Sequence, residues 1–587
     1  MQNFHRPWKN KTFLDVKSLR FFRLSEPVNC SDRYKLCYDD QPISIVRLFD
    51  KNDTKSEQYA LSFSAIWGDM KFINYGLDYI KFKSLYKVIY FCIFFKNLEK
   101  LKFLNFKAKL YENKNFKAGL EENREKHNVS FDIAWNGYHS KKWIHGFMDG
   151  RHYWKKGGNW TILTLAARYA DKKIVQFLLE ELKLESEANP NGPFNRTSFL
   201  SAVVGGKIET LKYLNAINSS LKYDLDSNKG SALTLAGLFG KQHTVEYLLD
   251  ELKIDPLTNS GYGNEQRSVF LGAASQGNII LLKYLNTKFP NLKYERDSEQ
   301  NNALGFACEF ADKKTVQFLI ESLQINYNET GFRKRNCFLS AAAGHQIETM
   351  KYLDSNWPEL KNERSSKDAT ALGLAASWAL PETLKFLLKQ IKMNVSTTGR
   401  QGRNCFLSAA YYGMKPNLIY LNDNFPELKN SRDFKNETAL TSAAGSYYCD
   451  ADVVKMLIED IDVDESETGY KGRNCFLAAC RRNKVETLEY LSEFFPELRN
   501  SRDSDNDTAL TLSCRNGKIG SVKFLVHKLK VNLNETGYKG RNCYLSAASK
   551  GKTKILKYLD DLFPELKYAV DDDGYTANQL IDKLQES

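Results

Sequence analysis

The sequence predicts an all-α solenoid of stacked helix-turn-helix units joined by hairpin loops, and two recurring phrases predict it. The first, Arg-Asn-Cys-Phe-Leu-Ser-Ala, stands at Arg335 and Arg403 and recurs with small changes at Arg196, Arg267, Arg473 and Arg541. The second, Thr-Ala-Leu-x-x-Ala-Ala, is whole at Thr370 and Thr438, with variants at Thr161, Ser231, Asn302 and Thr508 and a decayed copy at Thr576. The phrases interleave, giving thirteen aligned copies at steps of 34 residues, with three steps of 36 or 37. A unit of that length cannot bury its own apolar face and needs a neighbour on each side.

The unit opening at Asn474 reads in order. Asn474 is an N-cap, because its side chain accepts from the exposed amides of a first helical turn. Cys475 to Ala479 form a short helix whose small residues allow close approach. After a turn, Val485, Leu488 and Leu491 recur at three-residue steps and make one helical face. Pro496 ends that stretch. The polar run 500–507 is a loop, and Thr508 opens the next unit.

This pattern resembles the ankyrin repeat. The family's Thr-Pro-Leu-His-x-Ala-Ala phrase aligns with Thr370 to Ala376 and with Asn336 to Ala342, and its Asp-Val-Asn loop has counterparts near 461–469 and 499–503. The resemblance covers residues from about 158 to 587 as an array of about 13 repeats, including a C-terminal cap in which Asn578 and Asp582 replace apolar positions. Two positions depart from the pattern: the Pro is Ala or Cys here, and the His that supports the hairpin is Gly, Thr or Leu. A tetratricopeptide array shares the period, but its Trp and Gly-Tyr signature is absent. The resemblance implies binding of other proteins through loop tips and the inner helix face.

Residues 1–57 carry no repeat phrase and are left as an unassigned segment or cap. Residues 58–157 read as degenerate repeats, with traces at 60–68 and 131–137, interrupted by a Lys-, Phe- and Ile-rich stretch at 79–107. Three readings of that stretch stay open: a decayed repeat, an amphipathic segment for membrane or RNA, or a translated intron of AT-rich codons. Half of the His and Trp residues fall in 127–160, at spacings that match no zinc pattern.

The net charge of +13 is local. Residues 1–160 hold 29 Lys and Arg against 17 Asp and Glu, whereas 161–587 hold 55 against 54. A balanced array argues against polyanion binding, which needs clustered cations. Of the 11 Cys, Cys337, Cys405, Cys475 and Cys543 share one register and stand two units apart, about 20 Å at helix spacings near 10 Å, too far to pair with each other. Reduced, packed thiols in a reducing compartment are expected. The N-terminus lacks a secretory apolar core, and the longest apolar run, 88–95, is too short to span a bilayer. The chain is therefore expected to be intracellular, cytoplasmic or nuclear, and monomeric.

No nucleophile elbow, P-loop, dinucleotide fingerprint or paired metal motif appears, so no catalytic residue, cofactor, metal or small-molecule substrate is expected. The candidate partner-binding residues are those of the loop tips preceding the Arg-Asn phrase: Phe332, Arg333 and Arg335; Arg400 and Arg403; Tyr470, Lys471 and Arg473; Tyr538, Lys539 and Arg541. Aromatic and Arg side chains dominate binding hot spots. The intervening tips, 433–436 and 503–506, are acidic or mixed, so adjacent fingers either neutralise each other or form a striped partner surface. Function is expected to be that of a protein-interaction scaffold; the alternative is a basic N-terminal anchor for membrane or nucleic acid that carries the array as a passenger.

Overall fold

The computed structural model describes residues 162–181, 193–256 and 267–585. The segments 1–57 and 79–107, the decayed repeats of 58–157 and the His- and Trp-rich stretch lie outside the described residues. The chain divides into two compact units, one reaching to Ala303 and the other running from Leu304. Among the described residues every regular element is a helix, and the longest is ten residues.

In the first unit, the helices Ile162–Tyr169, Ser198–Gly205, Ala232–Leu238 and Val269–Gln276 pack in sequence, each followed by a second helix such as Ile208–Ile217. The second unit repeats this from Ala303–Phe310 through Cys337–Ala343, Ala371–Trp378, Cys405–Tyr412, Ala439–Ala444, Cys475–Arg482, Ala509–Arg515 and Cys543–Ala548 to the last helix, Ala577–Gln585. Second helices come in two forms. After the Arg-Asn phrase they run ten residues and end in a 3-10 turn, as in Val485–Phe494 and Pro496–Asn500; Pro opens that turn in every described copy but the first, where Ser219 does. After the Thr-Ala-Leu phrase they pass into one π turn, as in Phe524–Lys528. An aromatic residue opens each such turn (Phe177, Tyr247, Phe318, Phe386, Phe524); Met456 holds that position in Ala451–Glu459, which stays α-helical.

Each letter of the Arg-Asn-Cys-Phe-Leu phrase has a physical task. Asn474 accepts the Leu477 amide at 2.9 Å as N-cap, while its amide group donates to the Leu498 carbonyl at 3.1 Å and to Ser501 Oγ at 2.8 Å. One side chain thus closes the helix and ties it to the loop ahead. The Cys475 thiol points to the Glu465 carbonyl at 3.7 Å, and Cys337, Cys405 and Cys543 do the same to the carbonyl ten residues upstream. Phe199, Phe270, Phe338, Phe406 and Phe476 are the largest fully buried side chains, one for each full Phe-bearing copy. Where the family has His, Thr441 and Thr511 accept the N-cap amides of Thr438 and Thr508 at 2.9 Å, which restores a hairpin support by other means.

All eight described cysteines are free and buried. Burial pushes Cys405, Cys475 and Cys480 up to about 12, so their thiolates are scarce at neutral pH. The structure adds one thing the spacing did not suggest: Cys308 stands beside Cys337, and Cys514 beside Cys543, near enough for each thiol to act on the other's titration. The last helix buries Ala577 and Leu580 and turns Asn578 and Asp582 to solvent, the polar outer face that an end unit requires.

Candidate protein-binding surface

Two kinds of finger alternate along the loop edge of the second unit. The first opens at Gly331, Gly399, Gly469 or Gly537, whose amide donates to the carbonyl of the Arg four residues on at 2.7–2.8 Å. Its middle residue, Arg333, Gln401, Lys471 or Lys539, is left-handed, with φ between 55° and 62°. That conformation turns its carbonyl outward to accept the amide of Ser366, Phe434, Ser504 or Asp572 in the next finger at 2.7–3.0 Å. In the second kind of finger, Asp433, Asp503 or Asp571 folds the loop by accepting two amides within the next four residues, as Asp503 does from Asp505 at 3.0 Å and Asp507 at 2.9 Å. Gly402 is held at φ +77, and a Cβ there would lie 2.3 Å from the Phe434 ring, so only glycine fits.

The other oxygen of that aspartate reaches back to the preceding finger. Arg473 Nε donates to Asp503 Oδ2 at 2.9 Å, Arg541 to Asp571 at 2.9 Å and Arg403 to Asp433 at 3.3 Å. In the first unit Arg196 meets Asp226 at 3.1 Å, and Arg267 stands 3.8 Å from Asp297. The joint after Arg335 carries Ser365 at the aspartate position; its hydroxyl keeps the turn by accepting the Lys367 and Ala369 amides. The residue before the aspartate reaches forward instead: Arg432 and Arg502 donate to the Thr468 and Thr536 carbonyls, both at 2.6 Å. Each Arg-Asp pair therefore clamps the fingers on both sides.

This geometry sorts the candidate residues. Arg403, Arg473 and Arg541 point inward and hold the clamp; the Arg473 side chain is 7% exposed and Asp503 is 0% exposed. Arg335 is half-buried, 5.3 Å from the Phe332 ring. Lys471 and Lys539 bridge to Asp505 and Asp573 of the next finger at 2.5 and 2.6 Å. Tyr470, Tyr538 and Arg400 stand exposed, with Phe332 and Arg333 half-buried beside one another. Basic and acidic fingers do neutralise each other where these ion pairs form.

The fingers also bring the carboxylates of Asp503, Asp505 and Asp507 within 4.8 Å of one another, a grouping that resembles a cation site. Protein cations already serve it. Arg473 takes Asp503, Lys471 takes Asp505, and Arg515 lies 2.8 Å from Asp507 and 3.3 Å from Asp505. Lys471, with Arg515, holds the Asp505 carboxyl below the usual range, while burial pushes that of Asp507 up.

A family model for ankyrin repeats matches residues 163–260, 440–536 and 476–564. The chain contains ankyrin repeats. The human ASB11 ankyrin repeat domain is similar to 36% of this chain over 91% of its own length, at 19% identity and a TM-score of 0.30. No curated protein matches the chain. Among the described residues, no helix is long and apolar enough to cross a membrane. Ankyrin repeats are generally protein-interaction modules, and here the loop edge is held rigid by buried pairs that leave aromatic tips outward. Reading the repeated phrases missed a second set of surface residues, at the ends of the first helices, because those positions change from repeat to repeat.

Proposed function

We propose that this chain is a non-enzymatic, monomeric intracellular scaffold that holds other proteins along the finger edge of its ankyrin array. The observation that carries this reading is the contrast within each finger. The base is locked by Arg473–Asp503 or Arg541–Asp571, while Tyr470 and Tyr538 beside it remain 36% and 38% exposed. Rigid aromatic side chains on a fixed loop lose little freedom on binding, which raises affinity for a given contact area. Buried thiols with no disulfide suit a reducing compartment. The test is a quantitative capture experiment with the full chain and a variant carrying Tyr470→Ala, Lys471→Ala, Tyr538→Ala and Lys539→Ala. Partner capture is expected to fall at least tenfold while the thermal midpoint stays within a few degrees. Undiminished capture by a normally melting variant removes the fingers from the binding surface.

A further inference from the structure

The ends of successive first helices change from one repeat to the next along the second unit. They read Ser377-Trp378, Tyr411-Tyr412, Tyr447-Tyr448 just past the helix, then Arg481-Arg482. The rings of the first three converge. Trp378 lies 4.6 Å from Tyr412 and 6.3 Å from Tyr448, Tyr412 lies 4.9 Å from Tyr448, and Tyr411 joins at 5.1 and 5.8 Å. Four rings from three consecutive repeats make one aromatic surface. It is not core: Trp378, Tyr411 and Tyr412 are half-buried, and Tyr448 is 38% exposed.

This surface is built. The repeat carrying Tyr447 and Tyr448 is two residues longer than the common step of 34, and the extra length falls between its two helices. Ser446 Oγ pins that loop by donating to the Tyr411 carbonyl at 2.5 Å, and Cys449 Sγ donates to the Ala410 carbonyl at 2.8 Å. Tyr448 is thereby held against Tyr412, and Tyr447 is left 58% exposed. Arg482 closes the edge: its Nε donates to the Gly445 carbonyl at 2.8 Å and its guanidinium lies 4.4 Å from the Tyr447 ring.

One side of the aromatic surface is cationic. Arg481 and Arg482 adjoin it, and Arg400 and Arg403 approach from the fingers, Arg403 at 4.0 Å from Tyr411. Arg403 is already paired with Asp433, but among the described residues no carboxylate lies within ion-pair distance of Arg400, Arg481 or Arg482. Glu437 is the acid that tempers Arg481, while burial and the neighbouring Arg482 and Arg473 press against its charge. Since residues 161–587 balance at 55 cations to 54 acids, this excess is local.

We infer that the surface from Trp378 to Arg482 docks a linear acidic segment of a partner protein, with an aromatic or aliphatic side chain on the Trp378, Tyr412 and Tyr448 rings and following carboxylates at Arg481 and Arg482. The inference rests on the scaffold reading but uses a different surface from the fingers. Repeats stack at about 10 Å and an extended chain covers roughly 3.3 Å per residue, so the acids stand about three to six residues beyond the anchor. Charge complementarity selects the partner. A single-stranded nucleic acid fits less well, because it needs a cation track along the stacked rings, and here the free cations gather at the margins.

The test uses the full chain and two fluorescein-labelled peptides of equal length, each with one Trp-Leu anchor, one followed by Glu at those spacings and the other by Lys. Anisotropy is expected to show the Glu peptide binding at least tenfold more tightly than the Lys peptide. Arg481→Gln with Arg482→Gln is expected to weaken it at least tenfold and flatten its salt dependence. Tyr448→Ser is expected to weaken it by a similar factor, with an unchanged melting curve. The four-residue finger variant is expected to stay within twofold, so failure of the finger reading and failure of this one give different results. Equal binding of the two peptides, absence of Glu-peptide binding, retained affinity in the Arg481/Arg482 variant, or tighter binding of oligo-dT than of the Glu peptide overturns the inference.

Discussion

The finger bases and the ends of the first helices differ in the way their sequences repeat. The fingers carry the same residues every second repeat, and those residues are consumed by the fold: Arg403, Arg473 and Arg541 each meet an aspartate thirty residues ahead. The helix ends carry Trp378, at a place where Tyr169, Phe239 and Phe310 stand in other copies of its phrase, and then Tyr412, Tyr448 and Arg482, which have no such counterparts. In a stack of equivalent joints, a residue that recurs is doing something every joint requires. A residue that appears once answers to something outside the stack. Recurrence therefore marks the scaffold, and departure from it marks the candidate surface.

The largest effect expected from this contrast is at the clamp. Arg473→Ala leaves the buried Asp503 carboxylate without its guanidinium and is expected to cost roughly 3–5 kcal/mol in urea denaturation. Asp503→Asn keeps the turn acceptor for the Asp505 and Asp507 amides and is expected to cost less than Asp503→Ala. Should Arg473→Ala melt like the unaltered chain, the comparison breaks, and the finger Arg returns to the list of surface residues.

A smaller effect belongs to the cap. Asn474→Ala removes both the cap and the bonds to Leu498 and Ser501, and about 1–2 kcal/mol is expected. Asn474→Asp keeps the cap and loses the donors, so the difference between the two variants isolates the tie between helix and loop.

Acid sharpens the picture further. Burial raises the Asp571 carboxyl, but the Tyr575 and Asp573 amides and Arg541 outweigh it and leave the group below its ordinary range; Lys471 does the same for Asp505. A depressed folded-state value means that the unfolded chain binds the proton more readily. The stabilisation is full above the unfolded value near ~4 and is lost as pH falls through the folded value. Denaturant midpoints are expected to drop below about pH 4, and Asp571→Asn is expected to remove part of that dependence. A midpoint that does not move between pH 5 and pH 3 contradicts it.

The smallest effect on stability is expected where the sequence does not repeat. Tyr448→Ser is expected to cost under about 1 kcal/mol, well below Arg473→Ala. If the two cost the same, the aromatic surface is part of the scaffold, and the distinction between recurring and single residues fails.

Much of this was legible because the period aligns equivalent positions. Asn474 as cap, Phe476 and Leu477 as core, Pro496 past the second helix and the polar end unit at Asn578 and Asp582 all follow from local chemistry repeated at fixed spacing. The fingers were legible as loops, but the direction of their side chains was not. Tyr470 and Arg473 lie three residues apart in one loop, both of hot-spot type, and nothing local says that one faces out while the other turns in. The approach of Cys308 to Cys337 and of Cys514 to Cys543 was equally hidden, since it depends on how adjacent helices sit side by side.

The sequence by itself determined the repeat, the helix boundaries and the core, because capping, periodicity and apolar burial act within a unit or between identical neighbours. Only the tertiary structure decided which charges are shared between fingers and which are not. That choice depends on where a carboxylate thirty residues away comes to rest: Asp503 lies against Arg473, while among the described residues no carboxylate is within ion-pair distance of Arg481 or Arg482. Ionic contacts reach across the chain through space, and a linear spacing carries no record of the direction in which a guanidinium points.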